Sequence, residues 1–195
     1  ICTDNSTPYS CVWNTLLVGD GGYDLRAVTT DNAGNATNST VVSNRVVDNT
    51  APTATNIQTA NVGATVGLPE QNDTMTFTFS EQIAPGTIVG GWNGTGTQTV
   101  TVTMDAGNHL SITGATLVTG FITLGGAGYV NAGKTVVFAN STISQSGATV
   151  TLTLGTPDKP QFLNAGTAGQ SSWPVAATLT DIAGNAITTV TRLEV

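Results

Sequence analysis

Positive charge is scarce in this chain of 195 residues: Lys and Arg together number 5 against 12 Asp and Glu, a formal net charge of −7. Binding nucleic acid through its phosphates needs a basic stripe, and none exists here, so nucleic acid is not an expected partner. Charged residues of both signs make up only 9%, far below the roughly 25% of average globular usage. No run of about 20 apolar residues occurs, so no helical membrane insertion is expected. Histidine occurs once, as His109, and no G-x-S-x-G turn accompanies it, which leaves a Ser–His–Asp arrangement nothing to be built on. No carboxylate pair is singled out for glycoside chemistry. The chain is not expected to be an enzyme. Two cysteines and one distant histidine are also too few ligands for a structural zinc site.

What replaces the charge is Thr, Gly, Asn, Ala and Val. Thr and Val lose side-chain freedom in helices, Gly costs backbone entropy there, and Asn competes for backbone hydrogen bonds. The same residues suit strands and turns, so the chain reads as all-β. Alternation is clean in Met75-Thr76-Phe77-Thr78-Phe79 and Val150-Thr151-Leu152-Thr153-Leu154, where one face is apolar and the other is all Thr. That pattern describes sheets with one buried and one solvated face. Residues 1–50 hold strand candidates at 1–3, 9–13, 23–29 and 40–47. Residues 51–195 hold them at 53–58, 74–80, 98–104, 109–113, 121–124, 134–139, 148–154, 175–180 and 186–193. Asp105-Ala106-Gly107-Asn108 is a hairpin turn, and other Gly-rich steps separate the remaining runs. Short strands with regular turns between them indicate a β-sandwich.

Cys2 and Cys11 flank the turn-forming stretch Asp4-Asn5-Ser6-Thr7-Pro8. Pairing of 1–3 with 9–13 as a hairpin would set the sulfurs opposite each other, so a Cys2–Cys11 disulfide and an oxidising compartment are expected. Asp20-Gly21-Gly22-Tyr23 suits a tyrosine corner, in which the phenol bonds back to the turn; an ordinary half-buried aromatic is the alternative. From Tyr23 the inward set would be Tyr23, Leu25, Ala27 and Thr29. Trp92, between Gly90-Gly91 and Asn93-Gly94, is either a ligand platform on a glycine-rich loop or a plug at one end of the sandwich.

One phrase is written twice. Thr30-Asp31-Asn32-Ala33-Gly34-Asn35 returns as Thr180-Asp181-Ile182-Ala183-Gly184-Asn185, each between alternating runs, and Val47-Asp48-Asn49-Thr50-Ala51-Pro52 reads as a joint between them. With the Asp20-Gly21-Gly22-Tyr23 strand start, this ordered set resembles the bacterial immunoglobulin-like modules strung along large cell-surface proteins and adhesins. The resemblance implies immunoglobulin-like β-sandwich modules in tandem. Residues 1–50 would be the C-terminal part of one module and 51–195 a larger complete one. The first would then be incomplete, and about 50 residues in four strands bury too little to be comfortable alone. It would be an excerpt, be completed by strand exchange with another copy, or lean on its neighbour.

The resemblance further implies a structural, spacer or adhesive role in a secreted or cell-surface protein. The partners would be adjacent modules and, for an adhesive role, a host or cell-surface ligand such as a glycan or receptor. It also predicts that Asp48 in the joint comes beside Glu81 and Asp181, with Asp20 near. Carboxylates converging at a joint suit calcium. The alternative, compatible with the first, is that Asp31 and Asp181 are turn-formers, each accepting backbone N–H bonds from two or three residues on as an Asx-turn, while Gly34 and Gly184 supply a positive φ.

Overall fold

The computed structural model describes residues 1–63, 65–188 and 191–195. The chain is nearly all-β and divides into two compact units, Ile1–Thr50 and Ala51–Val195. No helix among the described residues is long and apolar enough to cross a membrane.

The first unit has four short strands: β1 (Gly21–Leu25), β2 (Val28–Thr30), β3 (Ala36–Asn38) and β4 (Val42–Val47). β1 pairs with β4 and β2 with β3, both antiparallel. The run expected over 23–29 is broken between β1 and β2. The β1–β4 register slips between Tyr23 and Leu25. Tyr23 and Leu25 are half-buried, but Ala27 and Thr29 are exposed, so the inward set ends at the slip. No strand forms at 1–3 or 9–13. There the polypeptide is organised by Asp4, whose carboxylate accepts the Ser6 N–H at 3.0 Å and the Ser10 N–H at 2.7 Å. These local bonds compete successfully with a strand ladder. Cys2 and Cys11 are joined all the same, with Cα atoms 6.0 Å apart.

The second unit contains β5 (Ala54–Ala60), β6 (Thr74–Phe79), β7 (Gln98–Asp105), β8 (His109–Thr113), β9 (Ile122–Thr123), β10 (Thr135–Ser146), β11 (Thr149–Thr153), β12 (Thr156–Pro157), β13 (Ser172–Pro174) and β14 (Thr191–Leu193). Pairing runs antiparallel in the order β14-β13-β9-β8-β7-β10-β11-β6-β5, with β12 beside β10. β14 then lies next to β5 again. Just ahead of these strands, Thr53 bridges Thr188 in parallel and the Thr188 N–H donates to Pro52 O at 3.0 Å. The sheet thus folds over on itself as a sandwich-like shell, which leaves few unpaired edges.

The alternating runs point their apolar members inward. Phe77, Ile143, Val150 and Leu152 are fully buried while the Thr residues between those of β6 and β11 remain half-exposed. At the centre, Trp173 meets Phe77 edge-on with ring centroids 4.8 Å apart and Phe79 at 5.3 Å. Its indole N–H donates to Leu117 O at 2.8 Å, so this large ring is buried with its polar atom satisfied.

Two runs differ from expectation. β10 extends well past Ala139 because the strand survives a bulge at Asn140, which has φ 56°. Ser141, fully buried, holds the bulge: its hydroxyl donates to Phe138 O and accepts from Gly155 N–H, each at 2.9 Å. Conversely, the segment 175–180 is no strand. Val175 and Thr180 make isolated bridges, and Ala176–Leu179 turns on itself through a Leu179 N–H to Ala176 O bond. Of the strand expected over 186–193, residues 189 and 190 lie outside the described residues.

Candidate functional site

The repeated phrase builds the same turn twice. In the first unit Asp31 Oδ1 accepts the Ala33 N–H at 2.9 Å and the Asn35 N–H at 2.8 Å, while Oδ2 accepts the Asn35 side-chain amide at 2.8 Å. In the second unit Asp181 Oδ1 accepts the Gly184 N–H at 2.6 Å and the Asn185 N–H at 2.8 Å, and Oδ2 again accepts the Asn185 side chain at 2.8 Å. Backbone bonds close both loops in the same way, from Asp31 N–H to Asn35 O and from Asp181 N–H to Asn185 O. Gly34 and Gly184 have φ values of 90° and 97°, which an L side chain adopts only under strain. The aspartate takes the place of the acceptors a reversing backbone leaves short, and the asparagine clamps the carboxylate from the far side.

The surroundings of the two turns differ. Asp31 and its neighbours are exposed. Asp181 is only 1% exposed and forms an antiparallel bridge with Ile83. This brings a second acid close: carboxylate oxygens of Glu81 and Asp181 lie within 4.8 Å of each other. At that distance two carboxylates repel unless a proton, a donor or a cation stands between them. An ionised carboxylate has about four lone-pair positions, and the turn does not use all of those on Asp181.

Of the other acids, Asp48 is half-buried in the first unit and accepts the Thr50 N–H at 3.1 Å. Asp20 accepts the Asn49 N–H at 2.7 Å and, through its other oxygen, the Thr50 hydroxyl. The Thr50 hydroxyl, then the Asn49 amide, hold its carboxyl below the ordinary value. Asp20 therefore fastens the end of its own unit. Beside it, the Tyr23 hydroxyl donates to Gly19 O at 2.7 Å, and the Tyr23 ring meets Trp13 edge-on at 5.2 Å.

Trp92 does not present a face to solvent. It is 6% exposed within the core, and its indole N–H donates to Thr95 O at 3.0 Å. The glycine-rich loop reverses around the indole because burying so large an apolar ring outweighs leaving it in water. The glycines of the 125–133 loop serve close packing too: a side chain on Gly125 would meet the backbone of Gln170 at 2.0 Å.

Two features gave no warning in the sequence. His109 stacks on Phe121 with centroids 3.8 Å apart, and its Nδ1 lies 3.2 Å from Asp105 Oδ2. Burial is the largest influence on the Asp105 carboxyl and raises it, but the His109 and Gly107 amides and the His109 ring together hold it below the usual range. The second feature is a solvent-open cavity bordered by Met75 and Met104. Both lie on strands whose alternation was legible, but an unfilled space between strands leaves no mark on either.

No family model matches the chain, and neither the curated proteins nor the solved structures contain a match.

Proposed function

We propose that the chain is a pair of immunoglobulin-like modules from a secreted or cell-surface bacterial protein, whose work is to extend, space and present the domains joined to it. The observation that carries this reading is the repeated turn: one hydrogen-bonded Asp–Gly–Asn loop closes β2 onto β3 and recurs at 181–185 in a second compact unit, with a short acidic joint between. The shell of the second unit adds support, since Thr188 near its end bridges Thr53 at its start in parallel, as immunoglobulin-type sandwiches do where their first and last strands meet.

Calcium at the joint belongs to the same proposal. Glu81 and Asp181 supply two oxygens to a hard cation. Within the second unit, Thr53 exchanges bonds with Ser80 next to Glu81. A second reading is favoured by the exposure of Val28, Val41, Val42 and Val46 in the first unit, namely that strand exchange with another copy covers them.

Small-angle scattering and light scattering of the chain and of a two-copy tandem, each in calcium and in chelator, test these readings together. The spacer reading expects a monomer whose maximum dimension grows by a constant increment per copy, and grows further in calcium. The calcium response disappears in Glu81→Gln. A compact tandem sinks the spacer role, an unchanged profile in chelator sinks the calcium joint, and a mass that doubles with concentration selects strand exchange.

A further inference from the structure

The second unit carries a cavity of about 410 Å³ that is open to solvent. Its floor is made of Met75, Met104, Leu110, Leu124 and Leu154, all buried core side chains. This volume falls in the range of small-molecule pockets. Gly67, Ala168 and Gly169 also line it, the two glycines because close backbone approach leaves no room for a side chain there. A single backbone bond, from Gly166 N–H to Gly67 O at 3.1 Å, ties the segments on either side.

The polar groups of the wall have one sign. Asp73 and Glu194 line the cavity, and no Lys, Arg or His stands among the described residues that do. Glu194 is anchored: Oε1 accepts the Thr59 N–H at 2.8 Å and the Thr59 hydroxyl at 2.7 Å, and Oε2 accepts the Ser171 N–H at 3.2 Å. Asp73 accepts the N–H groups of Val62 and Glu70, each at 2.8 Å. Each carboxylate keeps acceptor capacity that these bonds do not use. Burial is the largest influence on Glu194 and raises its carboxyl, but the Thr59 and Ser171 bonds outweigh it and hold the group below the ordinary range. Burial, and after it the Glu194 charge, push the Tyr129 phenol up. An apolar floor under fixed negative charge repels anions and suits a molecule with an apolar body and a positively charged donor at one end. Two methionines adapt the floor to bodies of different shape.

We infer that this cavity is a binding site for a small organic cation, an alkyl- or arylammonium compound whose apolar body rests on Met75 and Met104 and whose ammonium group faces Glu194 and Asp73. The site is independent of the spacer role.

The chain contains 2 methionines, and both lie in this floor. Protein labelled with ¹³C at the methionine methyls therefore reports the cavity and little else. Titration with 4-phenylbutylamine moves both methyl signals saturably, and 4-phenylbutyrate, with the same body and the opposite charge, binds at least ten-fold more weakly. Glu194→Gln weakens the amine at least three-fold and narrows the gap between the two probes. Still methyl signals throughout the amine titration overturn the site. Equal affinity for amine and acid overturns its selectivity for cations. Because the paired probes act on the unaltered chain, the result does not depend on the variant folding.

Discussion

The turn at 31–35 and the turn at 181–185 have the same residues in the key places and the same bonds from carboxylate to asparagine, yet the aspartate of one stands in water and the aspartate of the other is buried beneath an exposed loop. Local chemistry writes the shape of the loop, and burial sets what the shape is worth. An exposed carboxylate that loses its partners returns to water. A buried one cannot, so the bonds it makes are costlier to lose.

The largest expected difference comes from removing the acid. Asp181→Ala leaves the Gly184 and Asn185 amides short of an acceptor and lowers the stability of the second unit by about 3 kcal/mol. Asp31→Ala loosens only its own hairpin. Denaturant unfolding, with hydrogen exchange at Asn35 and Asn185 as local reporters, checks both. Equal losses at the two sites would break the comparison.

The glycines should behave alike. Nothing stands within 4 Å of the Cβ position at Gly34 or Gly184, so only their positive φ opposes a side chain. Alanine at either position costs about 1–2 kcal/mol of local stability, regardless of burial. A much larger loss at 184, measured by the same exchange experiment, would mean that the second turn is also tightly packed around its glycine.

The smallest effect is the response to acid. The Asn35 side chain, then its backbone amide, hold the Asp31 carboxyl below its ordinary value. A carboxyl depressed on folding contributes stability above its unfolded pKa of about 4 and loses it as pH falls through the lower folded value. An NMR titration should show the Asn35 amide signals shifting at that lower midpoint, with Asp31. Asp31 titrating at the ordinary value would show that the clamp does not hold in solution.

The same division between local and distant causes separates what was legible in the sequence from what was not. Both repeated turns, the Asp105–Asn108 hairpin turn and the alternation of β6 and β11 depend on residues a few positions apart, and they read directly. Segment 175–180 looked like a strand because its apolar pattern is right, but its backbone meets scattered partners, Val118 and Ala186 through isolated bridges and Leu117 and Ala84 through single bonds, rather than one ladder. Trp92 looked available for a ligand because glycines surround it, whereas a core far along the chain takes in the indole. The Glu81–Asp181 approach was legible only through the resemblance, since the two acids are a hundred residues apart and meet by folding.

By itself, then, the sequence determined that the chain is β-structured, where it reverses, which faces turn inward, and that two units share one kind of turn. These follow from side-chain stiffness, glycine φ and period-two alternation, all of which act over a few residues. Only the tertiary structure decided that Asp181 is buried while Asp31 is not, that β10 continues past its bulge on the strength of Ser141, and that a cavity opens beside Glu194. Each of those outcomes depends on which distant side chains arrive at the same place, and burial and packing act on that meeting rather than on the order of residues.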